Sequence, residues 1–411
     1  MIIRNLFEQR SRQDVVNAFL NGEDEVISSL SGENVSPSSA LRLSAVFSAA
    51  RILMDDIAKL PIHLFVSKGE DREIDRNHPT ARLLSVQPNE LMTPLDFFRM
   101  LEFKRQFWGA GLAWVKTDYN GFPIELLPLP TEYTVPYVDD DGALWYVLRA
   151  PGLEMRKLPA ADVICVKNFS TDGITWHSTL EYAREVVGAG QAEQKFETTF
   201  YSRGMKLGGV LETPSKLGPE EKEAVRREFE RATSGLSNMH RVAVLNMNEK
   251  FTALNMPIKD AQYIETREMN IRDIARFWRM PLYKLQEGKE AYNSNEQQNL
   301  DYLVSSLDPV LVGYEQEYRL KLLARSEQKK RYYRFNRTAI LRTDLKSRAE
   351  FLRLMVEAGI YTVNEARAYE ELNRYEPGSK NPADQLKASL NYVSIDDWGD
   401  PLKGAEPNKQ L

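Results

Sequence analysis

The apolar positions of the first half of the chain follow helical spacing first and strand spacing afterwards. Between Leu41 and Lys59 the apolar side chains recur every three or four residues, which predicts an amphipathic helix that ends before Pro61. Thr93 is a favourable helix cap and precedes a proline, so a second helix is predicted over Pro94–Trp108. Short runs of alternating residues between Leu112 and Lys167, separated by turn residues, predict several β-strands.

The second half of the chain is dominated by longer helical patterns. One helix is predicted from Ser178 to Arg203 and another from Asp260 to Met280, with a small β-α-β-β insert between them. A third helix is predicted from Ser294 to Ala324, and it should bend near Pro309, because proline interrupts helical hydrogen bonding. Together these patterns predict the α+β class.

The two ends of the chain differ from its middle. Residues 21–40 are rich in serine, glycine and acidic side chains, so we expect residues 1–40 to form a mobile N-terminal segment. Near the other end, short helices are predicted over Thr343–Ala358 and Val363–Asn373. The tail after them, residues 374–411, is rich in proline, glycine and aspartate and is also expected to be mobile.

Composition excludes several classes of protein. The 411 residues contain 54 lysines and arginines against 59 aspartates and glutamates, a net charge of −5, which argues against a surface that grips phosphates everywhere. A single cysteine excludes an internal disulfide framework, and with only four histidines no metal site or cofactor is expected. Without a secretory signal or a long apolar run, we expect an intracellular soluble protein with no membrane partner.

Motifs for catalysis are also lacking. The Gly288-Lys289 pair is followed by a glutamate, and Tyr283 replaces the first glycine of a phosphate-binding loop, so the Walker pattern fails twice. Cys165 and His177 could pair as nucleophile and base, but the apolar strand around Cys165 favours a core position. We therefore expect no catalytic residues and no enzymatic activity of the chain's own.

Two segments could contact nucleic acid. Residues 329–337 (KKRYYRFNR) interleave cations with aromatic side chains, as a platform for single strands does, although an exposed edge strand guarded by cations explains the pattern better. The loop from Leu282 to Asn293 carries charges of both signs, and on spacing alone it could equally be an ordinary solvent loop.

An ordered set of segments resembles the portal proteins of tailed bacteriophages, in particular the Hong Kong siphophage type. The similarity spans Leu41 to Asn373, and the specificity lies in the set and its order. Its members are Leu43–Phe65, Gln87–Asn89 with Thr93–Pro94, Gly109–Trp114 with Asn120-Gly121, Leu126–Pro130, Phe200–Leu211 (FYSRGMKLGGVL), Arg276–Pro281 (RFWRMP), Tyr292–Gln297 (YNSNEQ), Pro309, and Asn364–Arg367.

The resemblance implies a portal fold with a defined order of parts. These are an α/β wing (residues 41–177 and 294–341), two long stem helices (178–203 and 260–280), a small β-α-β-β clip (204–259), a tunnel loop (281–293) and a helical crown (342–373). It also implies a ring of about twelve copies at one capsid vertex.

The expected partners follow from that resemblance. They are further copies of the chain, double-stranded DNA bound without sequence specificity, the large terminase subunit, a head–tail connector or adaptor and the major capsid protein. The expected location is the virion, with the host cytoplasm during assembly. The alternatives are a phage nucleic-acid processing enzyme that uses residues 329–337, and a terminase-binding adaptor without a DNA channel.

Candidate site residues fall into three groups under this hypothesis. The tunnel loop would contact DNA through Lys284, Gln286, Glu287, Lys289 and Glu290. The clip would bind partner proteins through Glu220, Glu221, Lys222, Arg226, Arg227 and Glu230. The second stem helix would contact a neighbouring subunit through Glu265, Glu268, Arg272, Arg276 and Trp278.

Overall fold

The structure is a computed structural model. It describes residues 27–68, 71–151, 154–202, 209–212, 218–233, 250–253, 260–286, 295–340, 345–370, 372–375, 383 and 385. The chain forms two compact units, Met1–Arg337 and Thr338–Leu411. Helices and strands are mixed in the first unit, which confirms the predicted α+β class.

The N-terminal segment is partly folded, and the prediction of a mobile stretch is wrong for residues 27–40. Strand β1 (Ile27–Ser28) pairs with β2 (Asn34–Val35), and a short helix α1 (Pro37–Ala40) follows. Val35 and Ala40 are fully buried, and the amide of Leu30 donates to Glu185 on a later helix at 2.9 Å. Two buried apolar side chains therefore outweigh the polar composition. Residues 1–26 lie outside the described part.

Three further helices follow the sequence signals closely. Helix α2 (Ser44–Ala58) begins three residues later than predicted, and α3 (Pro79–Ser85) is capped by His78. Helix α4 (Pro94–Trp108) has the predicted bounds, with the Thr93 hydroxyl accepting from the amide of Asp96 at 3.2 Å. Helices α2 and α4 pack against each other.

One sheet joins two segments of the first unit that are far apart in the sequence. Strands β3 (Ile62–Lys68) and β4 (Asp71–Ile74) form an antiparallel pair, and β13 (Arg331–Phe335) adds to the other edge of β3. Tyr333 lies opposite Leu64 in this register, and both side chains are buried. Residues that are distant along the chain therefore share one core.

Two further three-stranded antiparallel sheets lie between these segments. The first has the order β10-β5-β6 and the second the order β7-β8-β9. Their strands are β5 (Ala110–Thr117), β6 (Pro123–Pro128), β7 (Thr134–Val138), β8 (Leu144–Leu148), β9 (Arg156–Pro159) and β10 (Val163–Lys167).

Two long helices contact each other after the sheets. Helix α5 (Thr179–Ser202) and helix α7 (Asp260–Phe277) are joined by a bond from the Asn270 side chain to the Val186 carbonyl at 3.1 Å. The insert between them contains β11, α6 and β12, with β11 antiparallel to β12. Their bounds are Gly209–Glu212, Pro219–Thr233 and Lys250–Ala253. The predicted strand at residues 241–245 lies outside the described residues.

The third long helix is interrupted where proline predicted a bend. Helix α8 (Asn295–Tyr302) passes through a π-helical segment (Leu303–Leu307) into α9 (Asp308–Leu322). A proline ring crowds the carbonyl four residues before it, and the wider π turn just ahead of Pro309 relieves that crowding.

The second unit contains two short helices, α10 (Leu345–Glu357) and α11 (Val363–Tyr369). Gly359 lies between them with φ +69°, a conformation that favours glycine. Thr362 and Glu365 form a reciprocal capping box at the start of α11. The rings of Phe351, Tyr361 and Tyr369 lie 6.4 to 6.5 Å apart and hold the two helices together.

None of the helices among the described residues combines the length and the apolar character that crossing a bilayer requires. In the same part of the chain, no cluster of three histidine, cysteine, aspartate or glutamate side chains could hold a metal ion.

Candidate functional site

The predicted tunnel loop begins where helix α7 ends, and the end of α7 has a defined geometry. The amide of Met280 donates to the Ala275 carbonyl at 2.8 Å, and the amide of Arg279 donates to the Arg276 carbonyl at 3.1 Å. These two bonds form a Schellman motif. Arg279 occupies its left-handed position with φ +52°, where glycine is usual. Pro281 follows and cannot continue the helix.

Trp278 lies inside the protomer. Its side chain is 3 % exposed, and its indole Nε1 donates to Oε1 of Gln106 at 3.0 Å. Its ring also packs against Phe107, with centroids 6.2 Å apart. The expectation that Trp278 faces a neighbouring subunit is therefore wrong. Its contacts with Gln106 and Phe107 attach the end of α7 to helix α4.

A buried ion pair lies beside this anchor. Arg105 donates from Nη2 to Oε1 of Glu102 at 2.6 Å and from Nη1 to Asn168 at 2.6 Å. Asn168 in turn donates to the Thr179 hydroxyl at 3.1 Å, where helix α5 begins. Burial opposes the charge of Arg105, but Glu102 outweighs that effect and raises the pKa of Arg105. This network ties the start of α5 to α4.

A second contact fixes the end of α7 to the π-helical segment. The Arg279 guanidinium donates from Nη2 to the Ser305 carbonyl at 2.5 Å. The Ser306 hydroxyl donates to the Arg279 carbonyl at 2.7 Å. Both the side chain and the backbone of Arg279 are therefore bonded to the same turn.

The base of the predicted tunnel loop is a 3₁₀ turn over Leu282–Leu285, and Lys284 fastens it to helix α2. Lys284 Nζ lies 2.8 Å from Oδ2 of Asp56 and 4.5 Å from the ring centroid of Tyr302. Its side chain is only 18 % exposed. Lys284 is predicted to contact DNA, but in the structure its ammonium group forms an internal ion pair with Asp56.

Asp56 is held in its charged form by two lysines. Burial opposes its ionisation, but hydrogen bonds from Lys284 and Lys59 outweigh that effect and lower the pKa of Asp56 below its ordinary value. Lys59 lies 2.5 Å from Oδ1, so each carboxylate oxygen has its own ammonium partner.

The rest of the loop base is also attached to the surrounding helices. The Tyr283 hydroxyl donates to Oδ1 of Asn299 on helix α8 at 3.0 Å. Gln286 is exposed and has a left-handed backbone with φ +59°, which turns the chain away from the 3₁₀ turn. The predicted loop residues Glu287, Lys289 and Glu290 lie outside the described residues.

The predicted interface residues of α7, apart from Trp278, are on its surface. Glu268 pairs with Arg272 at 3.0 Å, Arg276 pairs with Asp273, and Glu265 is exposed. Exposed pairs of this kind add little to stability, so these side chains are free to exchange partners.

The predicted clip residues lie on helix α6. Glu220 and Glu221 occupy its first turn, where negative charge is favourable, and Glu221 accepts from the amide of Gly218 at 2.8 Å. Arg226 pairs with Glu223 at 2.6 Å, and Lys222 and Arg227 are exposed. The side chain of Glu230 lies outside the described part.

The cation-rich stretch 329–337 forms an edge strand, as its preferred explanation predicted. Tyr333 and Phe335 are each 3 % exposed, so they belong to the core. Arg331 pairs with Asp75 and Glu327 at 3.0 Å each. Arg337 pairs with Asp308 and Glu315, which leaves these cations engaged inside the unit.

The candidate nucleophile is also a core residue. Cys165 is 4 % exposed, and burial raises the pKa of its thiol to about 11, so the reactive thiolate does not form near neutral pH. His177 lies with Nδ1 3.1 Å from the Glu181 carboxylate, on the first turn of α5.

Sequence reasoning missed the residues that hold the loop base. Asp56, Gln106 and Ser306 match no motif in the sequence that would mark them as contacts of this loop. The sequence contained one signal. Proline at position 309 predicts that the carbonyl four residues before it lacks its helical hydrogen-bond donor. The side chain that supplies the missing donor could not be identified before the fold brought Arg279 beside it.

The sequence matches the Phage portal protein family over residues 44–371. A probable portal protein of Streptomyces phage phiC31 is 27 % identical over 389 residues, covering 90 % of this chain and 83 % of the relative. The portal protein of Enterobacteria phage HK97 is 25 % identical over 375 residues, covering 90 % of this chain and 87 % of that protein.

Solved structures show the same fold. The crystal structure of an HK97-family phage portal protein from Corynebacterium diphtheriae has a TM-score of 0.55 at 14 % identity, covering 74 % of this chain and 96 % of that one. A chain from the neck of a native GTA particle computed with C12 symmetry has a TM-score of 0.53 at 16 % identity, covering 88 % and 99 %. Because the family match extends over residues 44–371, the chain belongs to the phage portal protein family.

Proposed function

We propose that this chain is the portal subunit of a tailed phage. Copies close into a ring at one capsid vertex, and double-stranded DNA enters and leaves the capsid through the ring. The observation that carries the proposal is the family match over residues 44–371, which includes both long helices and the loop base between α7 and α8.

Ring closure requires two different complementary faces on each subunit. The long helices expose apolar side chains that a lone protomer leaves in water: Met269 on α7 is 61 % exposed and Phe196 on α5 is 49 % exposed. Methionine and aromatic side chains are enriched at protein interfaces. In the proposed interface they lie with Glu265, Glu268, Arg272 and Arg276, whose charges of both signs set the register.

A channel that translocates DNA must hold it weakly and without reading its bases. Each phosphate neutralised by a lysine or arginine strengthens the grip, so many such contacts around a ring would stop sliding. The net charge of −5 and the mixed signs of the loop agree with a weak grip. We assign the DNA contacts to Gln286 and Lys289, with Glu287 and Glu290 limiting adhesion, and Lys284 to anchoring the loop base.

Helix α6 is proposed as the docking surface for the large terminase subunit and, later, for the head–tail connector. Charged side chains of both signs lie along this helix, and contacts between exposed charges are weak and sensitive to salt. A surface of this kind suits partners that must exchange. The set is Glu220, Glu221, Lys222, Arg226, Arg227 and Glu230.

A ring of about twelve copies is proposed, in line with the C12 symmetry used for the GTA neck. The wing contacts the major capsid protein, so the protein resides in the virion and, during assembly, in the host cytoplasm. The subunit works without a cofactor and has no catalytic step of its own, because packaging is powered by the terminase.

Electron microscopy of the purified full-length protein tests the proposal. Particles with a central hole are expected, and class averages give the number of copies. A protein that stays monomeric over a range of salt, pH and concentration would overturn it.

A further inference from the structure

Pro309 leaves a gap in the hydrogen bonding of the helix before it. In an α-helix the carbonyl of residue 305 accepts from the amide of residue 309, and proline has no such amide hydrogen. The segment has already widened into a π turn over Leu303–Leu307, and the Ser305 hydroxyl donates back to the Asp301 carbonyl at 2.6 Å. The Ser305 carbonyl therefore lacks its α-helical amide donor, and a donor from another element can take that place.

Arg279 supplies that donor from a different helix. Its Nη2 lies 2.5 Å from the Ser305 carbonyl oxygen. The Ser306 hydroxyl, in a side chain that is 6 % exposed, donates to the Arg279 carbonyl at 2.7 Å. The end of α7 and the π-helical segment are thus joined by bonds in both directions.

The backbone of Arg279 makes this arrangement informative. Its φ of +52° lies in the left-handed region, where a side chain is disfavoured and glycine ends a helix without strain. Glycine would complete the same Schellman motif more easily. An arginine at this position is explained if its guanidinium is needed, because strained residues mark positions under functional constraint.

A simpler explanation is that a cation near the end of a helix is favoured by the helix dipole. That effect acts on charge alone, and it would be the same whether residue 309 were proline or alanine. The two explanations therefore differ in one measurable respect. Only in the first does the stability that Arg279 contributes depend on whether residue 309 is proline.

We propose that Arg279 is a positioning residue, which replaces the hydrogen bond that Pro309 withholds and so fixes where the tunnel loop leaves helix α7. Pro281 and the 3₁₀ turn follow it directly, and any shift of Arg279 is passed to the loop base. The consequence for DNA passage rests on the proposed function, whereas the coupling of Arg279 to Pro309 does not.

A double-mutant cycle on the full-length protein measures this coupling. Arg279→Met keeps the length and the strained backbone but removes the donor, and Pro309→Ala restores an amide beside Ser305. Alone, Arg279→Met should lower the urea midpoint by about 0.3 M, and in the Pro309→Ala background by less than half as much. Equal shifts in both backgrounds would overturn the inference and favour the dipole explanation.

Hydrogen exchange keeps the test decisive if Pro309→Ala folds poorly. In Arg279→Met, the amides of Met280, of residues 282–286 and of residues 303–308 should exchange several-fold faster, while the β3–β13 sheet keeps its protection. Unchanged exchange in both segments would refute the role of Arg279.

A packaging assay separates this inference from the proposed function. Arg279→Met should still form rings, but packaged DNA should fall about tenfold, with recovery in the double variant. Normal packaging by Arg279→Met overturns the positioning role alone. Failure of the unmodified protein to form rings overturns the proposed function, and the urea cycle still decides the coupling.

Discussion

Lys284 Nζ and Asp56 Oδ2 are 2.8 Å apart, and this ion pair fastens the start of the loop after α7 to helix α2. The two residues are separated by 228 positions in the sequence, so only the folded chain brings them together. The pair is largely shielded from water, with side chains 18 % and 7 % exposed. An ion pair in such surroundings is costly to break from one side only.

The first prediction concerns the stability that this pair provides. Lys284→Met keeps the aliphatic length but leaves Asp56 with one ammonium partner, and it should lower the free energy of unfolding by about 1–3 kcal/mol. Urea denaturation of the purified protein measures the loss. Lys222→Met on the exposed surface of α6 is the control, with an expected change within about 0.5 kcal/mol. Equal effects of the two substitutions would show that Lys284 is an ordinary surface lysine.

The second prediction concerns pH. Because the pKa of Asp56 is lower in the folded chain than its usual 3.8, the pair stabilises the fold fully above that value. The contribution is lost as the pH falls through the still lower folded pKa. The stability difference between the unmodified protein and Lys284→Met should therefore be constant above about pH 5 and shrink below 3.8. If the stability difference between the two proteins changed by less than about 0.5 kcal/mol between about pH 5 and about pH 2.5, the ion pair would be contradicted.

The third prediction concerns the N-terminal hairpin. A Cβ at Gly188 on helix α5 would collide with the side chain of Ser29, and Cβ of Ser29 would be only 2.6 Å away. Gly188→Ala should cost about 1–3 kcal/mol and release the hairpin, detected as faster hydrogen exchange in residues 28–36. Gly313→Ala is the matched control, because its Cβ would meet Val166 at an ordinary 3.8 Å. That control should stabilise α9 by about 0.5–1 kcal/mol. Protection of residues 28–36 that survives Gly188→Ala would contradict the close approach.

The fourth prediction separates the structural explanation of residues 329–337 from the nucleic-acid alternative. Arg331 is 28 % exposed and bonds to Asp75 and Glu327, so Arg331→Ala should destabilise the fold by about 1–2 kcal/mol. Arg334 is exposed on the same strand, and Arg334→Ala should change stability by less than about 0.5 kcal/mol.

Neither variant should alter the retention of DNA by the purified protein in a filter-binding assay. A cleavage or ligation activity that disappears in Arg334→Ala would instead favour the processing enzyme.

The fifth prediction concerns the proposed ring interface. Met269 is 61 % exposed on α7, and Met269→Glu would bury an uncompensated charge if this face meets a neighbour. Rings should be lost while the far-ultraviolet circular dichroism stays unchanged. Met269→Leu keeps the apolar surface and should assemble normally. Intact rings from Met269→Glu would exclude this face from the interface.

Local signals in the sequence account for much of the secondary structure. The Thr93-Pro94 start located the beginning of helix α4 correctly, because helix capping depends on neighbouring residues. Gly109, in the left-handed conformation, ends that helix. The proline at 309 indicated the interruption of the third long helix for the same reason. The ordered set of family motifs identified the family, which the match over residues 44–371 confirms.

Other features depended on contacts between distant residues. The polar composition of residues 27–40 predicted mobility, but burial of Val35 and Ala40 decided otherwise. Trp278 is predicted at a subunit interface from the family resemblance, but its burial and its hydrogen bond to Gln106 make it a core residue. Helical periodicity shows that a face is apolar, but it does not show whether that face meets the same chain or another.

The sequence by itself determined where most helices and strands lie and which family the chain belongs to, because these follow from local propensity and from the order of short motifs. The tertiary structure alone decided which charges are available at the loop base. Lys284 and Arg279 look alike in the sequence as exposed cations beside a loop, yet each is bonded to a residue distant along the chain. Ion pairs and hydrogen bonds act over a few ångströms, and only folding brings such residues within that distance.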